Sequence, residues 1–144
     1  MRPPLRFPAT RYQPPAVADM GSREVRERLS PAALKAFFNI AAHWRLRDED
    51  ARALLGGVSN GPFYEMKRDP ARTLDVDRLT RVSCLIGIFK ALGVLYSEAH
   101  ADEWVGRANT NPVFNGRTPL EYMTAGGLPA MLTVRRLLDA RRAG

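Results

Sequence analysis

The sequence predicts an all-α protein in which a helix-turn-helix-containing N-terminal domain packs with a small helical C-terminal domain. Three observations carry that expectation. Apolar residues recur at helical spacing through the chain from Ser30 onward, no stretch alternates in the manner of a half-buried strand, and helix start and stop signals punctuate the pattern. At 144 residues the chain can bury one core shared by two small domains, and it contains no internal repeat.

Pro3, Pro4, Pro8, Pro14 and Pro15 open the chain. Their fixed φ and missing N–H oppose helix and sheet, so residues 1–29 are expected to be a flexible or extended arm. Ser22 to Leu29 could form a short helix, although its charges outnumber its apolar anchors. At Ser30 a capping hydroxyl precedes Pro31, a good first helical residue, and Leu34, Phe37, Phe38, Ala41 and Trp44 then form an apolar face. Asp48, Glu49 and Asp50 crowd the next helix start, where negative charge complements unpaired N–H groups. Ala51, Leu54 and Leu55 are its buried side, and Gly56-Gly57 stops it. Val58 to Pro62 reads as a tight connection into a third helix, with Ser59 or Asn60 as cap and Phe63 and Met66 facing inward.

Asp75 and Asp77 open a long helix whose Val76, Leu79, Val82, Leu85, Ile86, Phe89, Leu92 and Leu95 keep helical spacing nearly to Ser97. This is the expected scaffold, and Gly87 and Gly93 mark possible helix crossings. Ser97 to Ala108 reads as a helix anchored by Trp104, and Asn109 to Gly116 as a loop. Thr118-Pro-Leu-Glu121 is a capping box, in which the Thr oxygen and the Glu side chain each serve a free backbone donor of the other. That helix breaks near Gly126-Gly127, and Pro129 begins a last one with the stripe Met131, Val134, Leu137 and Leu138. Residues 30–96 and 97–144 are the two expected domains.

The 22 Lys and Arg, most of them Arg, against 15 Asp and Glu give a net charge of +7. That excess favours a polyanion such as DNA, though it also serves plain solubility. A single Cys84 excludes an intramolecular disulfide and a cysteine zinc cluster, in keeping with a reducing cytoplasm. No uncharged run approaches the ~20 apolar residues of a membrane span. Arg2, Arg6 and Arg11 among prolines do not make a secretory signal, so a cytoplasmic location is expected. His43 and His100 stand apart from any acid at metal-ligand spacing, and Gly56 to Gly61 lacks the Lys-Ser/Thr of a phosphate loop. No catalytic residue, metal or cofactor is expected.

Asp48 to Arg68 has the layout of a helix-turn-helix. Lys67 and Arg68 are placed to meet phosphate or guanine, and Ser59, Asn60 and Tyr64 to reach the backbone or base edges. Glu65 among them would repel phosphate. The competing reading is an ordinary helix pair whose last turn carries favourable positive charge. The same two readings apply at the C-terminus, where Arg135, Arg136, Arg141 and Arg142 lie beside an apolar stripe.

Leu54-Leu-Gly-Gly-Val-Ser-Asn-Gly61, the long central helix, Trp104, Phe114-Asn-Gly-Arg-Thr-Pro-Leu-Glu121 and the terminal helix occur in the order found in Xre-type (MbcA/ParS/Xre) antitoxins. Residues 30–144 resemble that family, and the proline-rich arm has no counterpart in it. The resemblance implies a non-enzymatic antitoxin and autorepressor. Its N-terminal domain would dimerise and bind operator DNA, and its C-terminal domain would bind a RES-type toxin that consumes NAD. It further implies that the Leu137 to Gly144 end sits near the toxin's active-site entrance. Phe114, Arg117, Tyr122, Leu137, Leu138, Arg141, Arg142 and Gly144 are then the expected toxin-binding residues. The alternative is a helix-turn-helix regulator with no toxin partner.

Overall fold

Six α-helices and no strand make up residues 20–144, the part of the chain that the computed structural model describes. Residues 1–19, most of the expected arm, lie outside the described residues. Helix α1 spans Arg23–His43 and so begins well before Ser30, with the Ser22 hydroxyl accepting from the Val25 N–H at 3.4 Å. Pro31 lies inside it and cannot donate to the Glu27 carbonyl, but Glu27 is on an exposed turn where water can. Ser30 is fully buried, and its hydroxyl accepts from the Leu74 N–H at 2.8 Å. The Ser-Pro pair is thus a clasp between α1 and a distant segment, not a helix start. Arg45 ends the helix at φ +54°, donating to the Ala42 carbonyl at 3.2 Å while the Leu46 N–H reaches Ala41 at 2.9 Å. This is a Schellman motif with arginine in the place glycine usually takes.

Helices α2 (Asp48–Leu54), α3 (Asn60–Arg68), α4 (Val76–Leu95), α5 (Glu98–Glu103) and α6 (Pro119–Ala143) follow. Asp75 caps α4 through a 2.8 Å bond from the Arg78 N–H. Leu79, Val82, Leu85, Ile88 and Leu92 of α4 are buried between Leu34, Phe37 and Ile40 of α1 and Met131, Val134 and Leu138 of α6. Each such side chain contributes roughly 1.5–3 kcal/mol through burial, and together they form one continuous core. Val76, expected on the apolar face, is exposed in the first turn. Gly87 is a true crossing, since a Cβ there would fall 2.3 Å from Arg135 Cζ, whereas Gly93 has open space around it.

The expected Ser97 to Ala108 helix is shorter, with α5 passing at Trp104–Gly106 into a 3-10 turn and then into extended backbone at Arg107. The capping box is present in full: the Glu121 N–H donates to Thr118 Oγ1 at 3.0 Å and the Thr118 N–H to Glu121 Oε1 at 2.9 Å. The bond from the Thr118 N–H foremost, with the Thr118 side chain second, holds the Glu121 carboxyl below its ordinary pKa. Helix α6 kinks at Gly127 (φ 67°, ψ −150°), a conformation open to glycine, where the break was expected.

Candidate nucleic-acid and partner-binding surfaces

The turn between α2 and α3 rests on Gly56 and Gly57, with φ of +95° and +85°. The turn folds back onto α2, with Gly56 donating to the Ala53 carbonyl at 2.9 Å and Gly57 and Val58 to the Arg52 carbonyl at 2.9 and 3.2 Å. A Cβ on Gly56 would come within 3.2 Å of Arg81 Nε and Asp77 Oδ2, so the turn lies against α4. Phe63 is buried beside Phe38, with ring centroids 5.6 Å apart, and this fixes which face of α3 turns outward.

That outward face carries the residues expected from the sequence. Ser59 and Asn60 are exposed at the start of α3, and Tyr64, Lys67 and Arg68 are exposed along it at a spacing that keeps them on one side. Tyr64 Oη donates to Asp48 Oδ2 at 2.9 Å, which raises the phenol's pKa, and Lys67 Nζ lies 4.0 Å from Asp48 Oδ1. Glu65, which stood against phosphate binding, is held by Arg68 at 2.7 Å and by Arg72 at 3.2 Å. The group therefore carries net positive charge. Arg72 was missed because it follows the helix, in the connection to α4, where no periodicity marks it.

At the C-terminal end Phe114 and Leu138 correct the sequence reading. Both are fully enclosed, so they offer a partner no side-chain surface and act by shaping what lies around them. Phe114 meets Trp104 and Tyr122 edge-on, with centroids 6.0 and 5.3 Å apart, and Arg117 lies 5.6 Å over the Tyr122 ring. Such pairs add about 0.5–1.5 kcal/mol each beyond burial. The loop carrying Phe114 is tied by Asn109 and Asn111, whose side chains accept from the Asn111 and Val113 N–H groups at 2.9 and 3.0 Å.

Leu137 is half-buried, while Arg141, Arg142 and Gly144 are exposed. The expected projecting tail is a regular helix through Ala143, and Arg141 Nη1 donates to Tyr96 Oη at 3.0 Å. Tyr96 and Trp104 line a groove of about 360 Å³ with His100, Arg107, Ala108 and Asn109. Arg141 with Tyr96, and Trp104 with Phe114, Tyr122 and Arg117, thus meet on the two sides of one groove. Tyr96 and Arg107 were invisible as site residues in the sequence, because only the fold brings α6 back over the end of α4.

Cys84 is buried, and burial pushes its thiol upward in pKa, away from reactivity. His43 is not isolated as the sequence suggested, since its Nδ1 lies 3.0 Å from Asp102 Oδ2. No helix among the described residues is long and apolar enough to cross a membrane.

Comparison with known proteins bears on both surfaces. Residues 23–87 match the family described as the antitoxin Xre-like helix-turn-helix domain, and residues 91–144 match the antitoxin Xre/MbcA/ParS C-terminal toxin-binding domain. The uncharacterized protein y4oB of Sinorhizobium fredii (strain NBRC 101917 / NGR234) is 39% identical over 115 residues, which cover 79% of this chain and 87% of that one. No solved structure matches the chain.

Proposed function

The chain belongs to the Xre/MbcA/ParS family of antitoxins, and from that premise we propose that it neutralises a RES-type, NAD-degrading toxin and represses its own operon. As an antitoxin it is a binding protein and not an enzyme. It joins a helix-turn-helix domain to a toxin-binding domain, and the remaining detail is our reading.

The observation that carries this reading is the exposed end of α6. Arg141 and Arg142 present two guanidinium groups on a helical, exposed last turn, Arg141 anchored to Tyr96 and Arg142 lying 3.9 Å from Asp139 Oδ1. Guanidinium groups pair bidentately with carboxylates, so such an end can dock on acidic groups at a toxin's entrance and block the dinucleotide's path. Inhibition is then occlusion, with the surrounding Leu137, Arg117 and Tyr122 surface supplying contact area. At the other end, Ser59, Asn60, Tyr64, Lys67, Arg68 and Arg72 supply phosphate and base contacts. A homodimer would present two such faces to a palindromic site, and the toxin would join dimers into a larger complex.

Co-expression with the neighbouring gene's product tests the reading. The full chain is expected to relieve growth arrest and to co-purify with that protein. A chain lacking residues 141–144 is expected to co-purify but to leave NAD loss and arrest in place. Rescue by the shortened chain would remove occlusion by the tail. Failure of the full chain to bind any such neighbour would leave a helix-turn-helix regulator without a toxin.

A further inference from the structure

The fold gathers three potential metal ligands from two separate elements. His43, in the last turn of α1, lies 3.0 Å from Asp102, and Glu98 sits one helical turn before Asp102 on α5. One ligand atom from each of the three can be chosen so that all lie within 4.8 Å of one another. They open onto a groove of about 340 Å³ lined also by Asn39, Phe89, Gly93 and Ala101. Cations take such a set when the ligands come from rigid elements, and both elements here are helical. Two carboxylates drawn this close repel each other, and a bound cation reverses the sign of that interaction.

We propose that His43, Glu98 and Asp102 form a binding site for a divalent transition-metal ion, which links α1 to the start of the toxin-binding domain. One imidazole with two carboxylates is a borderline-hard donor set that suits Zn²⁺ or Mn²⁺ over softer ions. With metal–ligand bonds of about 2.1 Å, the 3.0 Å separation of His43 Nδ1 and Asp102 Oδ2 subtends about 90° at the ion, as adjacent ligands do in five- or six-coordination. Three protein ligands leave positions for water. Beside the cluster a second groove of about 510 Å³ shares His43 and Asp102 and is lined by Trp44. The Trp44 ring packs on the same Phe89 as His43, and its buried Nε1–H has no acceptor among the described residues.

The experiment is isothermal titration of the full, untagged chain, dialysed against EDTA, with ZnCl₂, MnCl₂ and MgCl₂, alongside thermal melts. Zn²⁺ or Mn²⁺ is expected to fill one site per chain, more tightly than Mg²⁺, and to raise the melting temperature. Glu98→Gln, at an exposed position, should leave the metal-free melt unchanged and weaken binding by at least about tenfold. His100→Gln, removing an exposed His whose Nδ1 lies 3.0 Å from the Ser97 hydroxyl, should bind as the native chain does. The proposal is overturned if no saturable binding occurs, if Glu98→Gln and Asp102→Asn bind like the native chain, or if His100→Gln abolishes binding.

Discussion

Replacing both Lys67 and Arg68 with Ala tests the outward face of α3 directly. Arg68 is the most exposed cation of that group, with its side chain 75% accessible, and Lys67 is 54% accessible at the weak end of ion-pair distance from Asp48. Neither supports the core, so their removal should leave the fold intact. Each phosphate contact contributes about 0.9 to the slope of log K against log salt, so two contacts contribute about 1.8. Between 50 and 200 mM salt the native chain should then lose about twelvefold more affinity than the double variant. Fluorescence anisotropy with DNA from upstream of its own gene reads the slope, and circular dichroism checks the fold. Glu65→Gln is the opposite perturbation: it frees Arg68 and Arg72 from the carboxylate they share, and should raise affinity at low salt and steepen the slope. An unchanged slope in the double variant would refute the placement of this face against the phosphate backbone.

Ser30→Ala should cost about 1–3 kcal/mol in urea unfolding, because it strands the buried Leu74 N–H without an acceptor; a loss near zero would mean that water takes the hydroxyl's place. Glu121→Gln tests the capping box by pH. The folded carboxyl titrates below its ordinary 4.5, so its charge stabilises the fold fully above that pH, and the benefit is lost as pH falls through the depressed value. The native chain should therefore outlast Glu121→Gln in urea at neutral pH and converge with it in acid, whereas a gap independent of pH would show that the charge contributes nothing.

What could be read from the sequence was local. Thr118 and Glu121 are three residues apart and make their bonds within one turn, so type and spacing sufficed. Gly56, Gly57 and Gly127, read as helix breaks, carry positive φ values where those breaks occur. What could not be read was set by partners far along the chain. Ser30 looks like a cap because nothing nearby reveals Leu74, 44 residues on, and His43 looks isolated because Asp102 lies 59 residues away. The start of α1 was missed for another reason: Val25 and Leu29 are only half-buried, so the segment's charge hides its weak apolar side. Which of Trp104, Phe114 and Tyr122 face outward could not be read, because only the fold shows that Phe114 is enclosed between the other two.

The two functional domains have no boundary in the core. The helix-turn-helix match ends at residue 87 and the toxin-binding match begins at residue 91, yet both positions lie inside α4, Val76–Leu95. One face of that helix buries α1 and another buries α6. Dividing the chain there would cut α4 and expose Leu85, Ile88 and Leu92 where α6 now covers the core they share with α1. Arg81 extends the connection to the surface. It is paired to Asp77 at 2.9 Å, and its guanidinium lies beside Gly56 in the helix-turn-helix turn and 3.8 Å from where a Cβ on Gly127 would stand. The turn that orients α3 and the kink that orients the end of α6 thus rest on one side chain. A partner that strains either end acts on a single packed unit, so a change at the helix-turn-helix turn and one at the end of α6 are felt by one core.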